Sequence, residues 1–283
     1  MRVSPPKVFP IATAATKPPA DAAGSADAFR QTGFVLGADV EAVMEGLNLE
    51  GAAAEVSSGS KFRSQTMASA LGLWSRSWLC RLEALHAVQW GNYSAAITLI
   101  RGTADYQASQ LYLLRTSAAE WTEWLDAGGI AIAAEEHATE FRLHPFRAAE
   151  ILAEHPVLGR IYRTAMDLSL SHFGSTMLFA GSGSAPDHVE VTFGDRDFHS
   201  GLAELELGWL LELGSAQLAT VAEFESVFGP VSERSKAWTG AAEKLTSQTS
   251  RCRIETKEIG GERRYVVQNW RREPRSAAKR LLL

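Results

Sequence analysis

Residues 64–90 read SQTMASALGLWSRSWLCRLEALHAVQW, and residues 93–125 read YSAAITLIRGTADYQASQLYLLRTSAAEWTEWL. In the first stretch Trp74, Trp78, Arg81 and Leu85 recur at helical spacing, and Leu71, Leu79 and Leu82 widen the stripe. In the second, Ile97, Ile100, Ala104, Ala108, Leu111 and Leu114 make one apolar face. Apolar residues at three- and four-residue intervals define a helix that buries one side. Only Gly91-Asn92, a turn signal, separates the stretches. Two long helices joined by two residues must run antiparallel and pack on each other.

Working outward, residues 38–47 predict a short helix with Val40, Val43, Met44 and Leu47 inward, and the small and polar residues 48–60 predict a loop. Gly128-Gly129 is expected to stop the second long helix, and residues 130–145 are irregular. A helix is expected from about Phe146 to His155-Pro156, and another from Val157 to Phe179. Residues 188–193 alternate and suggest a short strand. Helices follow over about 201–228, with Asp195 or Asp197 as cap, and over about 232–246. Residues 252–269 flank Gly260-Gly261, a β-hairpin signal whose turn tolerates positive φ. The expected class is mainly α: an antiparallel helical bundle with a small C-terminal β-hairpin. The division is 1–30 as a flexible leader, 31–250 as the helical bundle domain, and 251–283 as β-hairpin and basic tail.

Composition bounds the function. The chain has 283 residues, 46% hydrophobic and 22% charged, enough for a large core. Two cysteines, Cys80 and Cys252, make neither a disulfide framework nor a metal-binding spacing, and a reducing cytoplasm fits them. Pro5, Pro6 and Pro10 interrupt any secretory apolar stretch, and no segment reaches the ~20 apolar residues of a membrane span. From Arg263 to Leu283 there are seven basic residues against Glu273 alone, a local +6. Residues 1–262 therefore carry −11 of the total of −5. Such a tail either folds back on the acidic body or meets a partner protein or RNA through phosphate contacts.

Arg81-Leu-Glu-Ala-Leu-His86 matches an R-x4-6-H pattern. In residues 91–105, small residues lead into Leu99-Ile-Arg101 and then Asp105, while Tyr162 and His172 follow on a later helix. Together, over about residues 65–228, these resemble HEPN-like helical proteins of uncharacterised bacterial families. The resemblance implies a dimer and a metal-independent ribonuclease in defence or a toxin–antitoxin pair. Arg81 would steady the scissile phosphate and His86 would move a proton. It also places Arg101 and Asp105 near the bundle core, with Tyr162 and His172 on a later helix. The match departs from the family at Leu82, where a polar residue is usual, and at Asp105, where glutamate is usual. On a regular helix, five residues leave Arg81 and His86 about 140° apart.

The residues themselves support a second reading. Arg101 and Asp105 are one turn apart and can pair, so with His172 they form either a site for a polar or anionic ligand or a structural network. Glu83-Ala-Leu-His86 is the only E-x-x-H, whereas a di-iron bundle needs two, and Asp195, Asp197, His199 and His188 read as a solvated helix cap. No metal site or cofactor is assigned, and the phosphate-loop, dinucleotide and zinc-protease patterns are absent. The eight tryptophans read as core or interface. The resulting expectation is a non-catalytic helical protein that binds a partner or polar ligand and forms a homodimer through its Trp-rich helices; the ribonuclease is the alternative.

Overall fold

The computed structural model describes residues 3–4, 6–22, 24–57, 65–126, 148–181, 184 and 187–283. The expected Gly128-Gly129 stop, the stretch 130–145 and the helix start at Phe146 lie outside them. The central hairpin forms as expected: α3 (Gln65–Gln89) and α4 (Tyr93–Arg115) run antiparallel across Gly91, whose φ is 71°. Before them come α1 (Ser25–Val35) and α2 (Gly37–Ser57). After them come α5 (Ala118–Asp126), α6 (Ala148–Glu154), α7 (Pro156–Ser169), α8 (Phe173–Ala180), α9 (Ser200–Glu223), α10 (Glu225–Phe228) and α11 (Glu233–Thr246). A three-stranded antiparallel sheet closes the chain: β1 (Arg253–Ile259), β2 (Glu262–Trp270) and β3 (Lys279–Leu282). The molecule is thus mainly α with a small C-terminal sheet.

The centre of the bundle is α9, whose Leu202, Leu205, Leu207, Trp209, Leu210, Leu211, Leu213 and Leu218 are all buried. A helix that is apolar on every side must be surrounded, and α2, α3, α4, α7 and α11 pack around it. Trp238 of α11 lies in a slot made by two glycines. A Cβ on Gly46 would stand 2.3 Å from the indole, and one on Gly214 would stand 2.8 Å from it.

Several boundaries differ from expectation, each for a local reason. Residues 48–57 continue α2 rather than forming a loop. The second long helix breaks at Thr116, whose hydroxyl and N–H both donate to the Leu113 carbonyl and turn the chain out of the helix. The 157–179 helix breaks between Leu170 and His172, where the Ser175 hydroxyl donates to both of their carbonyls. No strand forms over 188–193; Val189, Val191 and Phe193 are exposed. His199, not Asp195 or Asp197, is the N-cap of α9, and its side chain makes no cap bond. Ser232 does cap α11, accepting from the Ser235 N–H at 3.1 Å.

The expected hairpin pairs Ile259 with Glu262 around Gly260 and Gly261, with φ of 64° and 84°, the conformation a two-residue hairpin turn demands. The tail adds a third strand: Leu282 pairs with Val266 and Leu281 with Val267. Residues 271–272 then tie the sheet to the bundle. Their carbonyls accept the Gly201 and Ser200 N–H groups at 2.8 and 3.0 Å, satisfying donors that the first turn of α9 leaves without intrahelical partners.

The leader 1–30, read as flexible from its composition, has a more specific placement. Its last residues begin α1 at Ser25. Upstream, the Ala12 N–H donates to Asn48 Oδ1 at 3.2 Å, the Thr13 carbonyl accepts from His86 Nε2 at 2.7 Å, and the Thr16 carbonyl accepts from Trp90 Nε1 at 2.9 Å. An extended segment rises roughly 3.1 Å per residue and a helix roughly 1.5 Å. Residues 9–16 therefore match the length of α3 from Trp74 to Trp90. An extended strand has free carbonyls, and the side-chain donors along α3 use them.

Candidate functional site

The apolar stripe of α2 runs through Val43, Leu47 and Ala54, and Glu50 falls on it, one turn after Leu47. Glu50 is therefore carried into the core and is fully buried. A buried carboxylate needs partners. α3 supplies them from two successive turns: Trp74 Nε1 donates to Glu50 Oε2 at 3.1 Å, and the Arg81 guanidinium makes an ion pair and hydrogen bond with the same oxygen. Arg81 is only 2% exposed. Burial raises the Glu50 pKa, opposed by the Arg81 charge and by the bonds from Arg81 and Trp74. Glu50 Oε1 has no hydrogen-bond partner among the described residues.

Beside this pair lies a cavity of about 210 Å³. Trp74, Trp78, Leu71 and Leu79 of α3 form one wall, Glu50, Gly51 and Ala54 of α2 another, and Lys7–Pro10 of the leader the roof. Trp78 is fixed by its Nε1 bond to the Leu47 carbonyl at 2.8 Å, and Trp74 by an edge-on contact with Phe228 at 5.4 Å between centroids. The roof sits close because residue 51 is glycine: a Cβ there would stand 2.3 Å from the Pro10 carbonyl oxygen. The arrangement combines apolar walls, one buried acceptor and a roof drawn from a separate segment. Concave, largely apolar sites with few polar groups are the usual form of small-molecule sites.

The residues singled out in the sequence fall in three places. Arg81 points inward to Glu50, while His86 lies on another side of α3 against Thr13, with Glu83 3.7 Å from its Nδ1. The structure does not bring the two onto a shared face. Arg101 and Asp105 stay together on α4 near Tyr162 of α7. Burial first, then the Asp105 charge, raises the Tyr162 pKa, and Arg101 opposes it. His172 is apart from them, exposed at the N-cap of α8, where its carbonyl accepts from Thr176 and Ser175. No hydrogen bond or ion pair joins it to Arg101 or Asp105 among the described residues.

A second buried polar cluster has its centre at His199. The Tyr93 hydroxyl accepts the His199 backbone N–H at 3.0 Å, Asp195 Oδ2 stands 3.3 Å from His199 Nε2, and Arg272 lies 3.8 Å from the same oxygen. Burial, then the Arg272 charge, pushes His199 below its usual range, and Asp195 opposes them. The Gly24 and Gly91 backbones press on residues 196–197, so this cluster clamps the α9 entry to α1 and α4. It reads as structural. Among the described residues no group of three His, Cys, Asp or Glu side chains is placed to hold a metal ion, and no helix is long and apolar enough to cross a membrane.

No protein-family model matches the chain, and the searches of curated proteins and of solved structures return no match. The functional reading therefore rests on the geometry of this chain.

Proposed function

We propose that the protein is a non-catalytic helical binding protein whose site is the cavity between α2, α3 and the Lys7–Pro10 roof. Its ligand is a small, largely apolar molecule that carries one hydrogen-bond donor. The observation behind this is Glu50: a core carboxylate whose Oε1 lacks a partner, at the edge of an aromatic-walled cavity. Leaving a buried acceptor unmade costs about 1–3 kcal/mol, and a ligand N–H or O–H directed at it recovers that. The ribonuclease alternative has less support, because Arg81 is closed off by Glu50 and His86 is engaged by the leader.

Indole and 1-methylindole test the proposal by calorimetric titration, since they share an apolar body and differ in the donor. Saturable indole binding, weaker 1-methylindole binding and loss of both in the cavity-filling variant Ala54→Phe are expected. Equal binding of the two would remove Glu50 from recognition. No binding of either, with the variant as well folded as the parent, would overturn the assignment of the cavity. RNA cleavage by the purified protein, abolished by His86→Ala, would instead establish the ribonuclease.

A further inference from the structure

The hairpin does not lie flat on the bundle. Between α7 and the β1–β2 pair there is an open cavity of about 500 Å³, lined by Arg160, Arg163, Thr164, Asp167, Arg263, Arg264 and Tyr265 together with Met166 and Thr256. Four arginines face one aspartate in a chain whose overall charge is −5. The aspartate is already engaged, accepting the Tyr265 hydroxyl at 2.5 Å. Arg160 is paired with Glu212, and Arg264 with Glu262 at 2.7 Å. Arg163 gives one Nη1 donor to the Leu152 carbonyl at 3.0 Å, and its other nitrogens make no further bond among the described residues. The Arg263 side chain is exposed, stands opposite Glu258 in the β1–β2 ladder, and makes no ion pair or side-chain hydrogen bond among the described residues.

Two guanidinium groups with spare donors thus converge from different elements, α7 and β2, on one concave space. Two more arginines, Arg160 and Arg264, line the same space, each paired with its own glutamate. Guanidinium presents planar paired donors that match the oxygens of a phosphate group, and low-dielectric walls concentrate such a field. A space of this size exceeds what a single phosphate fills. We infer that this cleft is a binding site for a small anion carrying two adjacent phosphate groups, with Arg163 and Arg263 as its principal contacts. It is separate from the cavity beneath the leader and stands or falls independently of it.

The test uses the full chain and pyrophosphate in calorimetric titration, with the variants Arg263→Glu and Arg163→Gln. Saturable binding is expected, weakening as salt is raised and falling about tenfold or more in each variant. Arg263 is exposed, so its variant should melt as the parent does, which separates lost binding from lost fold. Absence of saturable binding in low salt, or binding that both variants leave unchanged, would overturn the inference. A ten-residue oligouridylate serves as competitor. If it binds through Arg163 and Arg263 while pyrophosphate does not, the small-anion assignment is overturned in favour of a nucleic-acid backbone.

Discussion

Two glutamates are fully buried in the bundle, and their surroundings are opposite. Glu50 on α2 meets an arginine and an indole N–H from α3. Glu206 on α9 has no hydrogen-bond partner for either oxygen among the described residues. Burial alone raises the Glu206 pKa well above the ordinary carboxylate range, whereas at Glu50 the same burial is opposed by three attractive contributions from Arg81 and Trp74. The contrast separates two ways of holding a carboxyl in a low-dielectric interior. One is compensated in place and lies beside a cavity; the other avoids its charge by keeping its proton. The first arrangement leaves a defined acceptor beside the cavity. The second contributes a stability that depends on pH.

Removing the compensation at Glu50 should have the largest effect. Arg81→Ala would leave a buried carboxylate without its counter-ion, and the expected loss is about 3–5 kcal/mol in urea denaturation. The double variant Arg81→Met with Glu50→Leu should recover most of it, since it removes both charges together. Equal instability of the single and double variants would show that the pair matters through packing rather than charge.

Glu206 should respond in the opposite direction. Its folded pKa lies above its unfolded value of about 4.5. The stability linked to it is therefore complete below that pH and is lost as pH rises through the folded pKa. Glu206→Leu should stabilise the protein at pH 7 by about 1–3 kcal/mol, the cost of a buried unmade polar group. Glu206→Gln should flatten the decline that sets in as pH rises above the ordinary carboxylate range. A decline of unchanged slope in Glu206→Gln would place the titrating group elsewhere.

The cavity beside Glu50 depends on its roof, and Gly51 sets the height of that roof. Gly51→Ala places a methyl group where the Pro10 carbonyl now sits. Lys7–Pro10 must lift, at the expense of about one hydrogen bond, or about 1 kcal/mol. Trypsin cleavage after Lys7 should then be several-fold faster, with the global melt little changed. Unchanged cleavage would mean that the leader does not rest on α2 in solution.

How much of this was legible follows from where the information lies. The α3–α4 hairpin was readable because Gly91-Asn92 interrupts two long apolar stripes. The β1–β2 hairpin was readable from Gly260-Gly261. The C-terminal half of α2 was not, because Glu50 and the small residues around it look polar, although the spacing of Val43, Leu47, Glu50 and Ala54 was the available signal. The break before α8 was hidden because its cause, the Ser175 hydroxyl bonding back to two carbonyls, leaves the apolar period intact. The alternation of 188–193 was misleading, since among the described residues the segment joins no sheet and Val189, Val191 and Phe193 stay exposed. At the site, Trp74, Trp78 and Arg81 were visible as a stripe. Their shared partner was not, because it lies 24 residues before Trp74 on another helix.

An exposed pair of the same chemistry completes the comparison. Arg115 and Glu223 form two parallel bonds at 2.9 and 2.8 Å, tighter in fork geometry than the single shared oxygen at Glu50. Yet their side chains are 45% and 44% exposed, against 2% and 0% for Arg81 and Glu50. Water screens the first pair and is excluded from the second. Arg115→Ala should therefore cost only about 0.2–1 kcal/mol, and that loss should vanish in 1 M salt, a concentration at which charges about 3 Å apart are already screened. The Arg81→Ala loss should persist at the same salt, because it comes from a carboxylate stranded in the core rather than from attraction across solvent. If salt erased both losses alike, burial would not be what distinguishes the two pairs, and the Glu50 site would have to be open to water.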